Sequence, residues 1–342
     1  MSLARYIDIQ YRITQSTYLG DRYTGVIQSM INSKDSGGSI GNNKASTILS
    51  SIGEFLERER LIKDKVDKEH RTNLIQGYSL LNKRITKVSI DNIIGDGSNF
   101  IDTCGMASHT NSLKCLFNGI GEFIERQSYI FNYLSKGNAR LINLDNNEKF
   151  KPVLNSMNYL KFYEISLIDD YYVVLGKGIH NGKFYVGLGS SNCIEEAISK
   201  SIGEIMQLEM VYQSKGSENK IGINNKRNSY VDVFLKLPTE GLINAYKYLD
   251  NKCDIYDYND FTFTEFSIEN IFQKLNRQYS MEPLIFFIKP IRDIESLKII
   301  KVLDLNWFPN MFPKTYDKAV YDYVENATNV KLDRECNFIP FP

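Results

Sequence analysis

An excess of charge is missing from this 342-residue sequence: 41 Lys and Arg face 41 Asp and Glu. A general nucleic-acid binder or a polybasic membrane-surface protein carries a visible surplus of cations, so neither partner is expected. No stretch approaches the ~20 apolar residues of a membrane span, and Met1–Gln10 lacks the apolar core of a secretion signal. A cytoplasmic protein is the expectation. The five cysteines (Cys104, Cys115, Cys193, Cys253, Cys336) are scattered, with no Cys-x-x-Cys pair, which speaks against a disulfide framework and a structural zinc site. The three histidines (His70, His109, His180) have no helical His-x-x-x-His spacing, so neither a His-based metal site nor a Ser-His-Asp triad is expected. The common phosphate-binding motif is missing too, because Gly182-Lys183 is followed by Phe184 and not by Ser or Thr.

What the sequence does hold is an internal repeat. Ser50–Arg58, Asn118–Arg126 and Lys200–Leu208 share the core Ile-Gly-Glu, at Ile52, Ile120 and Ile202. Each follows a stretch rich in small residues: Gly37–Asn42, Cys104–Ser108 and Gly187–Asn192. The spacing is too long, and the copies too few, for a solenoid of short units. It suits three loop-then-helix units folded around one site.

In the second unit Leu113, Leu116, Phe117, Ile120, Phe123 and Ile124 form one helical stripe. Ile194, Ala197, Ile198, Ile202, Ile205 and Met206 repeat it in the third, where Ser191 or Asn192 is the expected cap. Ile48, Leu49, Ile52, Phe55 and Leu56 do the same in the first. Off the stripe, at about 100° per residue, lie Glu54, Glu57 and Arg58, then Glu122, Glu125 and Arg126, then Glu204 and Gln207. The plain alternative is a solvated face of i, i+4 Glu–Arg pairs. Two features oppose it. Gly53, Gly121 and Gly203 precede the three Glu, and a mid-helix Gly costs roughly 0.5–1 kcal/mol against Ala; close approach of a backbone or a ligand would justify that cost. The polar residues also recur in one register. Converging carboxylates beside Arg are what Mg²⁺ needs while it carries a polyphosphate, so a Mg-nucleotide site is inferred.

Tyr171–Leu175 and Phe184–Leu188 read as strands joined by a turn at Asn181-Gly182, and Leu284–Ile288 and Leu297–Leu305 as further strands. The polar segments Lys63–Asp96 and Gln213–Tyr230 read as surface connections or docking edges. A mixed architecture of sheets and helices follows.

These blocks, in this order, resemble the YcaO family of ATP-using enzymes. Glu54-Phe-Leu-Glu57-Arg58 matches its first helix, Gly105-Met-Ala107 its small-residue turn, Glu122-Phe-Ile-Glu125-Arg126 its second helix and Glu204-Ile-Met-Gln207 its third. Phe338-Ile-Pro-Phe-Pro342 is close to the Pro-rich tail of the azoline-forming branch. The resemblance runs from about Tyr23 to Pro342. It implies an α+β fold of one domain over 1–342, with repeat helices at about 44–66, 111–133 and 192–213 around a nucleotide site. The activity it implies is an ATP-dependent cyclodehydratase. A Cys, Ser or Thr side chain of a ribosomal precursor peptide attacks the preceding carbonyl, the oxyanion takes a phosphoryl group, and loss of phosphate leaves a thiazoline or oxazoline.

By the same resemblance Glu54, Glu57, Glu122 and Glu125 hold Mg²⁺. Arg58, Ala107, Ser108, Lys114, Arg126, Glu204 and Gln207 line the ATP, and the terminal carboxylate of Pro342 accepts a proton near the reacting amide. The departures are Cys104 in place of Asn, His109 in place of Gly, Lys114-Cys115 in place of Glu-Ala, and Phe338 in place of Pro; Lys114 removes a possible metal ligand and adds a charge that could meet phosphate. The expected partners are the precursor peptide, a separate ThiF-like leader-binding protein, an FMN-dependent azoline dehydrogenase and a second copy of the chain. Two other readings are open: thioamide formation by the same ATP chemistry, and a non-catalytic scaffold whose Glu helices make interface salt bridges.

Overall fold

The computed structural model of the chain describes residues 9–15, 22–29, 36–63, 74–94, 102–145, 147–169, 171–218, 230–251, 253–261, 263, 267–290, 294 and 296–342. In chain order it begins with strands β1 (Ile9–Gln15), β2 (Tyr23–Ser29) and β3 (Ser36–Gly41), then helix α1 (Lys44–Lys63). Next come β4 (Leu74–Ser79), β5 (Arg84–Ser89), α2 (Asp91–Ile94), β6 (Met106–His109) and α3 (Ser112–Ser135). They are followed by β7 (Ala139–Asn143), α4 (Lys151–Ser156), β8 (Tyr159–Glu164), β9 (Tyr172–His180), β10 (Lys183–Ser191) and α5 (Ile194–Glu218). The last third holds α6 (Tyr230–Lys236), α7 (Thr239–Ala245), α8 (Tyr248–Asn251), β11 (Cys253–Asp257), α9 (Ile268–Tyr279), β12 (Leu284–Ile288), β13 (Lys298–Leu303) and α10 (Lys318–Thr328).

Three sheets result. The first is antiparallel β1-β2-β3; the second has the order β5-β4-β12-β13-β6; the third has the order β10-β9-β8-β7-β11, antiparallel except for the β7–β11 pair. β3, β6 and β10 each lie at an edge of their sheet, and each leads through only two residues into α1, α3 and α5. Asn43 and Asn111 close the first two turns, their Oδ1 atoms accepting the N–H of Ser46 at 2.9 Å and of Lys114 at 3.0 Å. Such side-chain acceptors satisfy amides that a helix start leaves open. In the third unit Ser191, the last residue of β10, accepts the Cys193 N–H at 3.3 Å and donates to Glu196 in the first turn of α5 at 2.9 Å.

Each repeat helix packs on its own edge strand and also touches the edge strand of another unit: α1 meets β6, α3 meets β10 and α5 meets β3. The three units close into a ring. Glycines permit the close fit of helix on strand. A Cβ on Gly37 would stand 2.4 Å from the Phe55 nitrogen, and one on Gly187 would stand 2.2 Å from the Ser201 oxygen. The largest core surrounds α3, where Ile120, Phe123, Ile124, Tyr129 and Ile130 meet β9, β10, Trp307 and the tail residues Ile339 and Phe341. β9 and β10 are buried along almost their whole length, which is why they read as continuous apolar runs without alternation.

The hairpin forms as expected, with Asn181 at φ 49° and Gly182 at φ 71° in its turn. Leu284–Ile288 is β12, and the second strand is Lys298–Leu303. Three expectations are corrected. Within Lys63–Asp96, the surface connection is instead the paired strands β4 and β5 with α2, and β4 joins β12 through the register Tyr78 to Ile285. Leu49 and Leu113 leave their apolar stripes and stand exposed, because the partner strands do not cover the N-terminal ends of α1 and α3. Gln213 lies in α5, whereas 219–229 lie outside the described residues, as do 64–66 of the first expected helix. No helix among the described residues is long and apolar enough to cross a membrane.

Candidate functional site

The ring brings the repeated polar residues together. Glu54 on α1 accepts the Gly38 N–H of β3 at 2.8 Å, and Glu204 on α5 accepts the Leu188 N–H of β10 at 2.7 Å. Both bonds span sixteen residues. In the second unit the equivalent N–H, Met106, donates to the Thr103 carbonyl at 2.8 Å. Glu122 on α3 therefore accepts no hydrogen bond among the described residues. Burial holds its carboxyl well above the usual range; Arg126 pulls down, while Glu57, Glu125 and Asp102 push further up.

Glu57 is pushed up to about 8, first by burial, against the pull of the Ser108 hydroxyl and with the Glu54 charge adding to the rise. Burial also raises Glu204, with Arg126 opposing and Glu125 reinforcing the shift. Buried carboxyls that repel one another call for a cation. Arg126 lies amid them, 3.9 Å from Glu125 and 3.8 Å from Glu204. Burial disfavours its charge, yet Glu204, Glu125, Cys104 and Glu122 together hold it more firmly protonated than an ordinary Arg. The guanidinium donates no hydrogen bond among the described residues, so a fork of five N–H groups remains for a ligand. Phe341 lies against it, 5.2 Å from ring centroid to guanidinium carbon.

The remaining expected residues fall at varied places. Ser108 sits where Gly53 leaves room, its hydroxyl 2.7 Å from the position of a Cβ there. Ala107 is buried in β6 opposite Ile300. Gln207 lies over Gly38, 3.3 Å from the position of a Cβ there. Arg58 pairs with Glu54 and donates to the Ser36 carbonyl at 3.3 Å. Glu125 is buried on α3. Lys114 is exposed on the first turn of α3, two turns ahead of Glu122. Pro342 is partly exposed beside the buried Phe341.

The solvated-face alternative fits the Glu54–Arg58 pair; on α3 Glu122 and Arg126 are half-buried and Glu125 is buried. The three mid-helix glycines face other units, as the ring requires. Gly53 faces Ser108, Gly121 faces the Tyr171 hydroxyl at 2.3 Å from a would-be Cβ, and Gly203 faces Ile40 at an ordinary 3.5 Å. Among the described protein atoms, side chains make the approach.

Two residues escaped the reading of the sequence. Lys301 on β13 is 1% exposed, and its ammonium donates to the Asp102 carbonyl at 2.8 Å. Burial lowers its affinity for a proton, and Asp102, Cys104 and Glu122 counter that loss. The Asp102 carboxylate accepts the Cys104 N–H at 3.0 Å, the Cys104 thiol at 3.1 Å and the Met311 N–H at 2.7 Å. A charged residue in the apolar run Lys298–Leu303 was the only available signal for Lys301.

Among the described residues no group of three or more His, Cys, Asp or Glu side chains is arranged to hold a metal ion by itself. Mg²⁺ bound with a nucleotide takes one or two carboxylates and fills its octahedron with phosphate and water. The open Glu122 carboxylate and the unspent Arg126 donors fit such a pair of ligands.

No family model matches the sequence, and no curated protein is similar to it. The structure, in contrast, is similar to solved ones. The E. coli microcin synthetase McbBCD complex with pro-MccB17 bound contains a chain at TM-score 0.72 and 15% identity, covering 97% of this chain and 96% of that one. YcaO from Methanopyrus kandleri, bound with AMPPCP and Mg²⁺, matches at TM-score 0.66 and 13% identity over 88% of this chain and 86% of that one. A heterocyclase in complex with substrate and cofactor matches at TM-score 0.65 and 13% identity, over 93% of this chain and 53% of that one. The chain thus has the mixed helix-and-sheet fold of these YcaO, microcin-synthetase and heterocyclase structures.

Proposed function

We propose that the chain is a catalytic cyclodehydratase subunit that uses Mg-ATP to form thiazolines or oxazolines in a ribosomal precursor peptide. The observation that carries this reading is the pairing of an unbonded carboxylate, Glu122, with an Arg126 whose donors are free, in one enclosed site. Of Glu54, Glu57, Glu122 and Glu125, one or two, Glu122 first, would hold Mg²⁺, which neutralises phosphate charge. Arg126 would face the polyphosphate, and Ser108, Glu204 and Gln207 would complete the wall.

In this reading a Cys, Ser or Thr side chain of the precursor adds to the preceding carbonyl carbon. ATP supplies the phosphoryl group that turns the amide oxygen into a leaving group. The addition releases the side chain's proton and closes the ring; phosphate then departs, the amide nitrogen gives up its proton, and the C=N bond forms. The protein's own part is positioning and charge stabilisation. The similar microcin synthetase is a complex with a pro-peptide, and the similar archaeal YcaO binds AMPPCP and Mg²⁺. The first supports a heteromeric assembly with a precursor peptide, and the second a nucleotide site.

Calorimetry with Mg-ATP tests the site. Glu122→Ala and Arg126→Ala should each weaken binding at least tenfold, roughly the ~1.5–3 kcal/mol of a charge-assisted contact, in chains that stay folded. A well-folded wild-type chain that binds no Mg-ATP would leave the scaffold as the better account. Mass spectrometry of a treated precursor tests the chemistry: loss of one water per modified residue marks azolines, and exchange of oxygen for sulfur marks thioamides.

A further inference from the structure

Arg126 is held loosely by charge, because Glu125 and Glu204 both stand beyond hydrogen-bond reach. A further neighbour, Phe341, lies more than two hundred residues away in sequence. The ring of Phe341 is buried and packs 5.1 Å from that of Tyr129, one turn beyond Arg126 on α3. The chain leading to it is pinned by polar groups. The Tyr246 hydroxyl donates to the Pro340 carbonyl at 2.6 Å, and its own oxygen lies 2.5 Å from the Tyr129 hydroxyl. A phenol has one hydrogen, so Tyr129 donates to Tyr246 and Tyr246 to Pro340.

Tyr246 is itself fixed from behind. Its carbonyl accepts from the buried Lys177 ammonium at 3.1 Å, and Lys177 also bonds Asp250 at 2.6 Å. The other Asp250 oxygen accepts from Tyr163 at 2.5 Å. The Tyr246 ring stacks on Phe184 at 5.4 Å. Burying two hydroxyls and an ammonium is costly unless every one is satisfied, and apolar residues would pack the same space. This network ends on the backbone of the segment that carries Phe341.

We infer that Tyr246 is a positioning residue: it fixes Ile339–Phe341 and, through the Phe341 ring, aims Arg126 at the phosphates of the nucleotide. The inference rests on the reading of the site as one for Mg-ATP. It predicts that the tail governs the preference for a polyphosphate over a monophosphate.

Titration calorimetry of the full chain with Mg-ATP and with AMP reads that preference directly. Phe341→Leu and Tyr246→Phe should each lower the ATP-to-AMP affinity ratio about three- to tenfold, the range a cation–π contact supports, with AMP affinity unchanged. Tyr129→Phe should do less, because Tyr246 keeps its donor to Pro340. Thermal melting run alongside shows whether the variants are folded. If Phe341→Leu and Tyr246→Phe keep the wild-type ratio, or lose ATP and AMP equally as a packing role requires, the inference is overturned. A wild-type chain that binds no Mg-ATP, or an Arg126→Ala chain with an unaltered ratio, overturns the reading of the site itself.

Discussion

Glu57 shows how a single carboxyl links pH to ligand binding. Its proton affinity in the fold is raised to about 8 by burial, against an ordinary carboxylate value of 4.5. At neutral pH the unliganded site therefore holds a proton that a bound cation must displace. Mg-ATP affinity should rise as pH climbs through about 8 and level off above it. At pH 7 binding should release protons, from Glu57 and from Glu122, whose carboxyl burial also raises, read by calorimetry in buffers of different ionisation enthalpy; release of none would sink this assignment. The stability of the unliganded chain runs the opposite way. The folded state holds more protons than the unfolded one between pH 4.5 and about 8, so stability present below that window is lost on passing up through it. The recurrence of Glu-x-x-Glu-Arg in one register, at Glu54–Arg58 and Glu122–Arg126, made this residue legible from sequence. Its shift was not legible, because desolvation comes from β6 packing against α1.

At the scale of the element, the mid-helix glycines separate two effects that look alike in sequence. Gly121→Ala would drive a methyl onto the Tyr171 hydroxyl, 2.3 Å from the would-be Cβ, and overpacking of this kind costs about 1–3 kcal/mol. Gly203→Ala meets Ile40 only at 3.5 Å, so the helix-propensity gain of roughly 0.5–1 kcal/mol should dominate. Chemical denaturation should show the first variant less stable than wild type and the second equal or more stable. Equal losses in both would contradict the ring packing described above. The helices and the Asn181-Gly182 hairpin were readable because periodicity and turn chemistry are local signals. The β4–β5 hairpin was not. Its turn, residues 80–83, has no Gly to mark it, and Lys83 takes the left-handed conformation at φ 51° instead.

Across the whole molecule, the ring means that the three helices report on one event. Mg-ATP bound as proposed among Glu57, Glu122 and Glu204 would touch α1, α3 and α5 together. Hydrogen exchange should slow in all three on binding, and protection confined to one helix would contradict a shared site. The repeat spacing disclosed three units, but their cyclic order depends on contacts between distant strands. The union of β4 with β12 and the seating of Phe341 on Arg126 are likewise long-range, and no local pattern encodes them.

The two-residue connections between edge strand and helix carry a consequence for how such a chain tolerates change in length. Adding one residue between β3 and α1, between β6 and α3, or between β10 and α5 would turn the following helix by about 100° and advance it about 1.5 Å. Glu54 and Glu204 would then miss the N–H groups of Gly38 and Leu188, and Gly53, Gly121 and Gly203 would no longer face their neighbours. These joints act as gearing. An insertion there silences the site even though every side chain that forms it is still present.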